Sequence, residues 1–261
     1  MTASSCSLPM TAPEPGVCDD DARLGCRALG AASAGCVCCS LRFHCLSSDL
    51  AQSEVAQFSA LVLCRRHLKD GQALYRAGDA FAALYLVRTG LVKSIVLNEG
   101  GREQVSGFYM PGEMVGVDGI AAGKHASDAV ALGDTDVCVL PYERLEKLSH
   151  RAPAIDRHLH RILSKEVVRK QSMMLLLGSL RAEERIASFL LNLSQRFTAR
   201  GFSACDFVLR MTREEIGSLL GMQLETVSRV FSRMHKEGLI QIDGKHVRLL
   251  SPQGLRRMIG N

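Results

Sequence analysis

The sequence predicts an α+β fold in three parts: an N-terminal antiparallel β-roll, one long helix and a C-terminal winged helix-turn-helix. Three observations support this prediction. Short alternating apolar stretches broken by glycines occupy residues 70–141, which indicates strands joined by turns. Apolar residues then recur at three- and four-residue steps over residues 153–180, which indicates a helix. Two short helical patterns followed by two short strands occupy residues 212–249.

The length of 261 residues suits two domains and a linking element. Residues 1–35 are rich in Ala, Gly, Ser and Pro and have no periodicity, so we expect a mobile tail. We assign a cysteine-rich loop and the roll to residues 36–152, the long helix to 153–180 and the winged helix-turn-helix to 181–261.

The cysteine-rich loop is the densest chemical feature of the chain. Four cysteines fall within ten residues, at Cys36, Cys38, Cys39 and Cys45, and Cys138 lies far downstream. Thiolates at such spacing can close around one soft metal centre, because a short loop turns them inward and a distant ligand completes the shell. Cysteines are also common as small core residues. The density of this group and its lack of apolar periodicity favour the ligand interpretation.

The expected location follows from what the sequence lacks. No basic segment followed by an apolar stretch opens the chain, and no apolar run reaches membrane-spanning length. We therefore expect a cytoplasmic protein. In that reducing compartment, ten cysteines indicate metal or redox chemistry rather than a disulfide framework.

The long helix carries two apolar faces. Pro153 suits its first turn, and one face can pack on the roll. A second seam has coiled-coil spacing and predicts a dimerisation helix. The members of that seam are Leu163, Val167, Lys170, Met174 and Leu177.

The C-terminal third has the pattern of a helix-turn-helix. Thr212 and Glu215 form a capping box at the start of a helix over residues 213–220, and a second helix is expected over 224–236. A two-residue turn at Asp243-Gly244 then predicts a β-hairpin, the wing. The diagnostic positions of the motif are matched by Ile216, Gly217, Leu220, Gly221, Val227 and Val230.

All of the surplus positive charge lies in this last third. Residues 181–261 hold 13 Lys+Arg and 8 Asp+Glu, whereas residues 1–180 hold 19 of each sign. This asymmetry predicts an anionic partner, with double-stranded DNA as the first choice.

The second helix supplies candidate base contacts on its exposed N-terminal face. These are Glu225, Thr226, Ser228 and Arg229. Arg can fork a guanine, Glu can accept from a cytosine amino group, and Ser can contact thymine or adenine. We expect Arg213, Lys245 and His246 to contact phosphates, which position a protein without reading sequence.

The turns of the roll resemble the cyclic-nucleotide-binding β-roll of the Crp/Fnr family. They comprise Asp70-Gly71, Ala77-Gly78-Asp79, Arg88-Thr89-Gly90 and Pro111-Gly112-Glu113. In members that bind cAMP, an Arg-Ser/Thr pair after the Gly-Glu holds the cyclic phosphate in a bidentate fork. Residues 122–128 contain no Arg; they offer Lys124 and an acidic Asp128 instead. We therefore expect no cyclic nucleotide to bind.

The cysteines narrow the resemblance to FNR-type regulators. Cys36, Cys39 and Cys45 match the Cys-x2-Cys-x5-Cys spacing of that group, and Cys138 in Val-Cys-x-x-Pro matches its fourth ligand. The resemblance implies a [4Fe–4S] cluster on these four thiolates. Residues 225–229 match the group's Glu-x-x-Ser-Arg, which implies palindromic TTGAT-type sites.

What the resemblance implies is an oxygen-sensing transcription regulator. With the cluster intact under anaerobic conditions, the chain would form a homodimer and bind DNA, and oxygen would inactivate it. The bound dimer would contact RNA polymerase at positions near Thr89, Gly101 and Ser203.

Two departures from the group's pattern concern the cluster. Cys38 adds a thiolate that could replace Cys36 or Cys39, and His44 stands beside Cys45 where an apolar residue is usual. Such a neighbour can change the hydrogen bonds to the cluster.

Other functions remain open from the sequence. The cysteines could hold zinc or form a thiol switch, and the roll could bind a small effector or haem. We expect no enzyme activity, since no Ser/His/Asp arrangement, phosphate loop or paired-carboxylate site stands out.

Overall fold

The computed structural model describes residues 27–28, 52–62, 64–97 and 100–260. Within these ranges the N-terminal part is a β-roll of two antiparallel sheets. Its strands are β1 (Arg27–Ala28), β2 (Cys64–Leu68), β3 (Ala73–Tyr75), β4 (Ala83–Thr89), β5 (Val92–Leu97), β6 (Glu103–Tyr109), β7 (Met114–Val115), β8 (Asp128–Ala131) and β9 (Thr135–Pro141). The five-stranded sheet has the order β1-β2-β9-β4-β7, and the four-stranded sheet has the order β3-β8-β5-β6.

The remaining elements of the chain are mostly helical. Before the second strand lies α1 (Gln52–Leu61), and a short 3-10 turn, Val117–Gly119, follows β7. After the roll come α2 (Tyr142–Arg151), α3 (Pro153–Ser179), α4 (Ala182–Thr198), β10 (Asp206–Val208), α5 (Arg213–Leu220), α6 (Leu224–Lys236), β11 (Ile240–Asp243), β12 (His246–Leu249) and α7 (Pro252–Ile259). No helix in the described ranges is long and apolar enough to cross a membrane.

The five-stranded sheet is covered on both faces. Along β9, Val137 and Val139 point between the two sheets, whereas Cys138 and Leu140 point toward α1, α2 and α3. Successive side chains of a strand alternate between faces, so a strand buried on both sides is apolar throughout. The near-continuous apolar stretch from Val137 to Leu140 has this cause.

The long helix α3 begins with Pro153 in its first turn, as the sequence predicts. Its first half is buried against the roll through Ile155 and Leu159. Its second half leaves an apolar strip uncovered, in which the exposed fractions are 57% for Val167 and 72% for Met174. We call this surface the α3 strip; it also contains Val168 and Leu175. Lys170 turns to the roll, where its ammonium donates to the carbonyl of Ser106 at 2.9 Å.

The C-terminal part is a winged helix-turn-helix, and α5 and α6 have the predicted bounds. Thr212 and Glu215 form the predicted capping box. The wing differs by one residue from the prediction. Asp243 pairs with His246, so the two-residue turn is Gly244-Lys245 rather than Asp243-Gly244. Gly244 has a φ of 57°, and this left-handed conformation suits glycine at the first turn position.

Two further elements of this part have no counterpart in the sequence prediction. Strand β10 joins the wing to make a three-stranded sheet of order β10-β12-β11, and α7 packs against α4. Short segments of this kind carry too few residues for a periodic signal.

The roll and the winged helix-turn-helix share one apolar core. Val105 and Phe108 of the roll pack in the same cluster as Phe189 of α4 and Leu219 of α5. Polar contacts reinforce this packing. The Lys93 ammonium lies 2.6 Å from Glu215 Oε1, and Ser218 Oγ accepts from the Val105 amide at 2.8 Å.

One buried carboxylate joins the roll to both following parts. Glu113 lies between β6 and β7 and contacts Arg196 at 2.6 Å, Arg200 at 2.7 Å and Arg169 at 3.7 Å. Arg169 belongs to α3, Arg196 to α4, and Arg200 to the turn after α4. Burial alone would raise the pKa of Glu113, but the three guanidinium groups lower it to about 2. Arg169 and Arg196 also donate to the carbonyl of Phe108.

We expect Glu113→Gln to lose about 3 kcal/mol of unfolding free energy at neutral pH, from the depressed pKa of the carboxyl. Because the folded-state pKa lies below the unfolded one, this stability is present above about pH 4.5 and is lost as the pH falls toward 2. Urea unfolding between neutral and acid pH measures it. The control is Glu143→Gln, which removes an exposed carboxylate that pairs with Lys147 on the same helix. Equal acid dependence in both variants would contradict the role of Glu113.

We expect Gly217→Val to unfold the helix-turn-helix. A Cβ at Gly217 would lie 2.5 Å from the Met222 carbonyl oxygen and 3.3 Å from Val227 Cγ2, where backbone cannot move aside. The matched control is Gly178→Ala in α3, where a Cβ meets nothing within 4 Å. That change should stabilise the helix by about 0.5–1 kcal/mol. Thermal unfolding and hydrogen exchange of α5 measure both effects; a Gly217→Val variant as stable as the parent would refute the packing argument.

Candidate DNA interface and cysteine site

Helix α6 is amphipathic: one face is buried in the C-terminal core and the other is exposed to solvent. Val227, Val230 and Met234 are buried in the C-terminal core. The spacing of these residues is three or four, which places the intervening positions on the opposite face. The four predicted base-contacting residues occur there, at the N-terminal end of the helix. Glu225, Ser228 and Arg229 are exposed and Thr226 is half-buried.

The side chain of Arg229 is only weakly engaged by the described part of the chain. Its guanidinium makes one long contact with Thr226 Oγ1, at 3.4 Å. Arg233, one turn later on the same helix, is instead paired with Glu183 of α4 at 2.7 Å. The two arginines therefore differ in what they can do: Arg229 can reach an external group, and Arg233 is engaged inside the domain.

Arg213 is positioned by an aromatic ring. Its guanidinium carbon lies 3.6 Å from the ring centroid of Phe231, and burial lowers the pKa of Arg213. It borders a small cleft of about 200 Å³ beside Lys245, which is exposed at the tip of the wing. Arg213 Nη1 has no hydrogen-bond partner in the described part of the chain. The site thus combines a guanidinium held against an aromatic ring and an exposed ammonium.

The imidazole of His246, a predicted phosphate contact, has a partner within the protein. It contacts Asp206, and Arg248 pairs with the same carboxylate at 2.9 Å. These contacts link β12 to β10 within the three-stranded sheet. The imidazole is therefore engaged by a carboxylate, unlike the neighbouring Lys245.

The cysteine site is only partly within the described residues. Cys36, Cys39 and Cys45 lie outside them, as do Cys38 and His44. Among the residues that the structure describes, no three His, Cys, Asp or Glu side chains come together as a metal site.

Cys138 itself lies under α1. It is 8% exposed and packs in the cluster that contains Val55 and Phe58 of α1. Across the sheet it is opposite Arg65 of β2 and Leu86 of β4. Cys45 is seven residues before Gln52, the first residue of α1. An extended chain of that length spans at most about 25 Å.

The segment of the roll that would face a cyclic phosphate is occupied by internal contacts. Asp128, which the sequence predicts to repel phosphate, pairs with Arg76 at 2.5 Å and accepts from the Ala77 amide at 2.7 Å. Glu113 is engaged by three arginines, as described above.

Sequence reasoning missed three parts of these sites. The stacking of Arg213 on Phe231 and the arginines around Glu113 join residues distant in sequence, and the contacts of Asp118 with residues 126–127 depend on how the chain folds back within the roll. One signal was available: Arg196 and Arg200 are four residues apart, a spacing that places both on one face of a helical segment.

Comparisons with known protein families agree with this architecture. Residues 65–152 match the model of the cyclic nucleotide-binding domain, and residues 184–258 match that of the Crp-like helix-turn-helix domain. Among solved structures, FixK2 from Bradyrhizobium japonicum is similar with a TM-score of 0.69 and 31% identity. That match covers 74% of this chain and 96% of FixK2.

Several curated proteins are similar over most of their length. The transcriptional activator protein FnrA of Stutzerimonas stutzeri is 45% identical over 87% of this chain and 93% of FnrA. The transcriptional regulatory protein btr of Bordetella pertussis is 43% identical over 87% of this chain and 94% of btr. The fumarate and nitrate reduction regulatory protein of Escherichia coli is 38% identical over 89% of this chain and 93% of that protein. The order of its parts, a β-roll, a long helix and an exposed recognition helix, agrees with these similarities. The chain therefore belongs to the Crp/Fnr family of DNA-binding transcription regulators.

Proposed function

We propose that this regulator senses oxygen through a [4Fe–4S] cluster held by Cys36, Cys39, Cys45 and Cys138. The observation that carries the proposal is the position of Cys138, buried beneath the helix that follows the cysteine-rich loop. A set of four thiolates fits such a cluster. The similarity of this chain to FnrA and to the fumarate and nitrate reduction regulatory protein supports the same function. When bound, the cluster would supply an oxygen-labile cross-link between the loop and β9.

The chain offers a route from Cys138 to the long helix. Cys138 belongs to the same buried cluster as Val55 of α1 and as Ile155 and Leu159 of α3. Close-packed cores transmit displacements because side chains have no free volume into which to move. A change in how α1 covers Cys138 therefore alters the surface on which the first half of α3 rests.

We propose that the second half of α3 forms a homodimer. The α3 strip, Val167, Val168, Met174 and Leu175, is an exposed apolar surface on a helix of 27 residues. Pairing of two copies along this strip would bury it. A two-fold dimer places its recognition helices about 34 Å apart, one turn of DNA, and so selects palindromic sites under anaerobic conditions.

At each half-site, Glu225, Thr226, Ser228 and Arg229 would read a TTGAT-type sequence. Arg213 and Lys245 would bind DNA phosphates beside the groove that α6 enters. The proposal rests on the exposure of Glu225, Ser228 and Arg229, and on the exposed position of Lys245 beside Arg213 at one small cleft.

RNA polymerase is the further partner we propose. Gly101 and Ser203 are exposed, and Phe202 beside Ser203 is 59% exposed, which is unusual for an aromatic side chain. Thr89 is also at the surface, where its hydroxyl donates to Asp136 at 3.2 Å. Cyclic nucleotides are not expected as effectors, because the segment around Asp128 is engaged internally.

Arg229→Ala should lose sequence preference. A bidentate contact to a base contributes about 1–3 kcal/mol of discrimination, so binding to a TTGAT-containing palindrome should fall by about 5- to 150-fold. Binding to a scrambled duplex at the same salt concentration should change much less. Arg233→Ala is the control, since Glu183 already engages that side chain. Equal losses on both duplexes would show that Arg229 contacts phosphate rather than bases.

Anaerobic reconstitution with iron and sulfide tests the sensing mechanism. We expect about four iron and four sulfide ions per chain, absorbance that bleaches in air, and a change from dimer to monomer in sedimentation. Cys138→Ser should prevent assembly, because it removes the one ligand that comes from the roll.

The control is Cys205→Ser, a half-buried cysteine in the C-terminal part that should leave iron content unchanged. A colourless protein that takes up zinc, or an iron protein whose dimer ignores air, would overturn oxygen sensing and leave the DNA-binding function in place.

A further inference from the structure

The carboxylate of Asp118 occupies a cluster of hydrogen-bond donors in the roll. Its Oδ2 atom accepts from the Ala126 amide at 3.0 Å, the Ser127 amide at 3.0 Å and the Ser127 hydroxyl at 2.8 Å. Its Oδ1 atom faces the Tyr75 hydroxyl at 3.4 Å and His125 Nδ1 at 3.5 Å. Five donors from four residues thus surround one carboxylate.

This donor set is what a small oxyanion requires. Successive backbone N–H groups form a concave anion site, and a hydroxyl and an imidazole add side-chain donors. Burial alone would raise the pKa of Asp118, but hydrogen bonds from His125, Ser127 and Ala126 hold it below its usual value. Asp118 therefore carries its charge in the site at neutral pH.

His125 and Tyr75 are also held by contacts that do not involve Asp118. The His125 side chain is fully buried and its ring stacks on Tyr75 at 3.6 Å between centroids. In addition, the His125 amide donates to the Asp79 carbonyl at 2.9 Å. His125 Nε2 has no hydrogen-bond partner in the described part of the chain, so this polar ring is buried with spare capacity.

The site can be reached from solvent. The Asp118 side chain is 25% exposed, so its carboxylate stands at the mouth of the site. Asp128, the residue after Ser127, is paired with Arg76 and accepts from the Ala77 amide. An external anion at this position would therefore meet donors rather than an uncompensated negative charge.

We propose that residues 125–127 form a binding site for a small oxyanion, a carboxylate or a phosphate, and that the chain's own Asp118 is the resident ligand. The roll is thereby closed to an external anion as long as Asp118 stays in place. This assignment is independent of the cluster, and it gives a physical reason to expect no nucleotide response: the anion site is already filled.

Removal of the internal ligand tests the proposal. Asp118→Gly deletes the carboxylate and should lower the melting temperature of the full-length apo protein by roughly 5 °C. Sodium formate or inorganic phosphate should then restore several degrees, whereas sodium chloride at matched ionic strength should not. Wild-type protein, whose site is occupied, gives the non-specific effect of each salt, and the rescue is the additional stabilisation seen in Asp118→Gly.

Two variants give the controls. Asp79→Gly removes another aspartate of the roll, one whose carboxylate accepts from the Arg76 amide, and formate should not rescue it beyond chloride. Adding Ser127→Ala to Asp118→Gly should weaken the formate effect, since two of the five donors belong to Ser127 and one is then lost.

Rescue by formate or phosphate over chloride in Asp118→Gly alone supports the proposal. No difference among the salts, or the same difference in wild type, overturns it. If Asp118→Gly is recovered unfolded, refolding is compared in formate and in chloride. Recovery in formate only supports the site, and recovery in neither or equally in both overturns it.

Discussion

A single buried carboxylate connects the three parts of this chain. Glu113 leaves the roll between β6 and β7 and meets guanidinium groups from α3, from α4 and from the turn after α4. Burying a charge is costly unless it is paired, so these groups depend on one another. If the winged helix-turn-helix rotated away from the roll, Glu113 would lose two of its partners. The position of the recognition helix is therefore coupled to an electrostatic contact as well as to apolar packing.

The two sheets of the roll pack against different parts of the chain through their outer faces. The four-stranded sheet shares its outer core with the DNA-binding part through Val105 and Phe108. The five-stranded sheet shares its outer core with α1 and α3 through Cys138 and Leu140. A roll that faced water on either side could change without consequence for its neighbours. Here each outer surface is the packing surface of a functional element.

Local sequence signals predicted the DNA-binding part well. The capping box of Thr212 and Glu215 and the left-handed Gly221 lie within a few residues of what they define, so α5 and the turn after it follow from short-range chemistry. The same holds for the amphipathic spacing of α6. The wing turn was wrong by one residue, because ladder register depends on which residues of two strands face each other.

By itself, the sequence determined the order of parts, the strand and helix periodicities, the recognition helix and the spacing of the cysteines. Each of these is local, or is a motif that can be read along the chain. Only the tertiary structure decided that Glu113 serves three arginines, that Arg213 rests on Phe231 and that Asp118 fills the donor cluster at residues 125–127. The physical reason is common to all three. Each is a contact between side chains whose value depends on burial and on partners from elsewhere in the chain, and neither is encoded in local spacing.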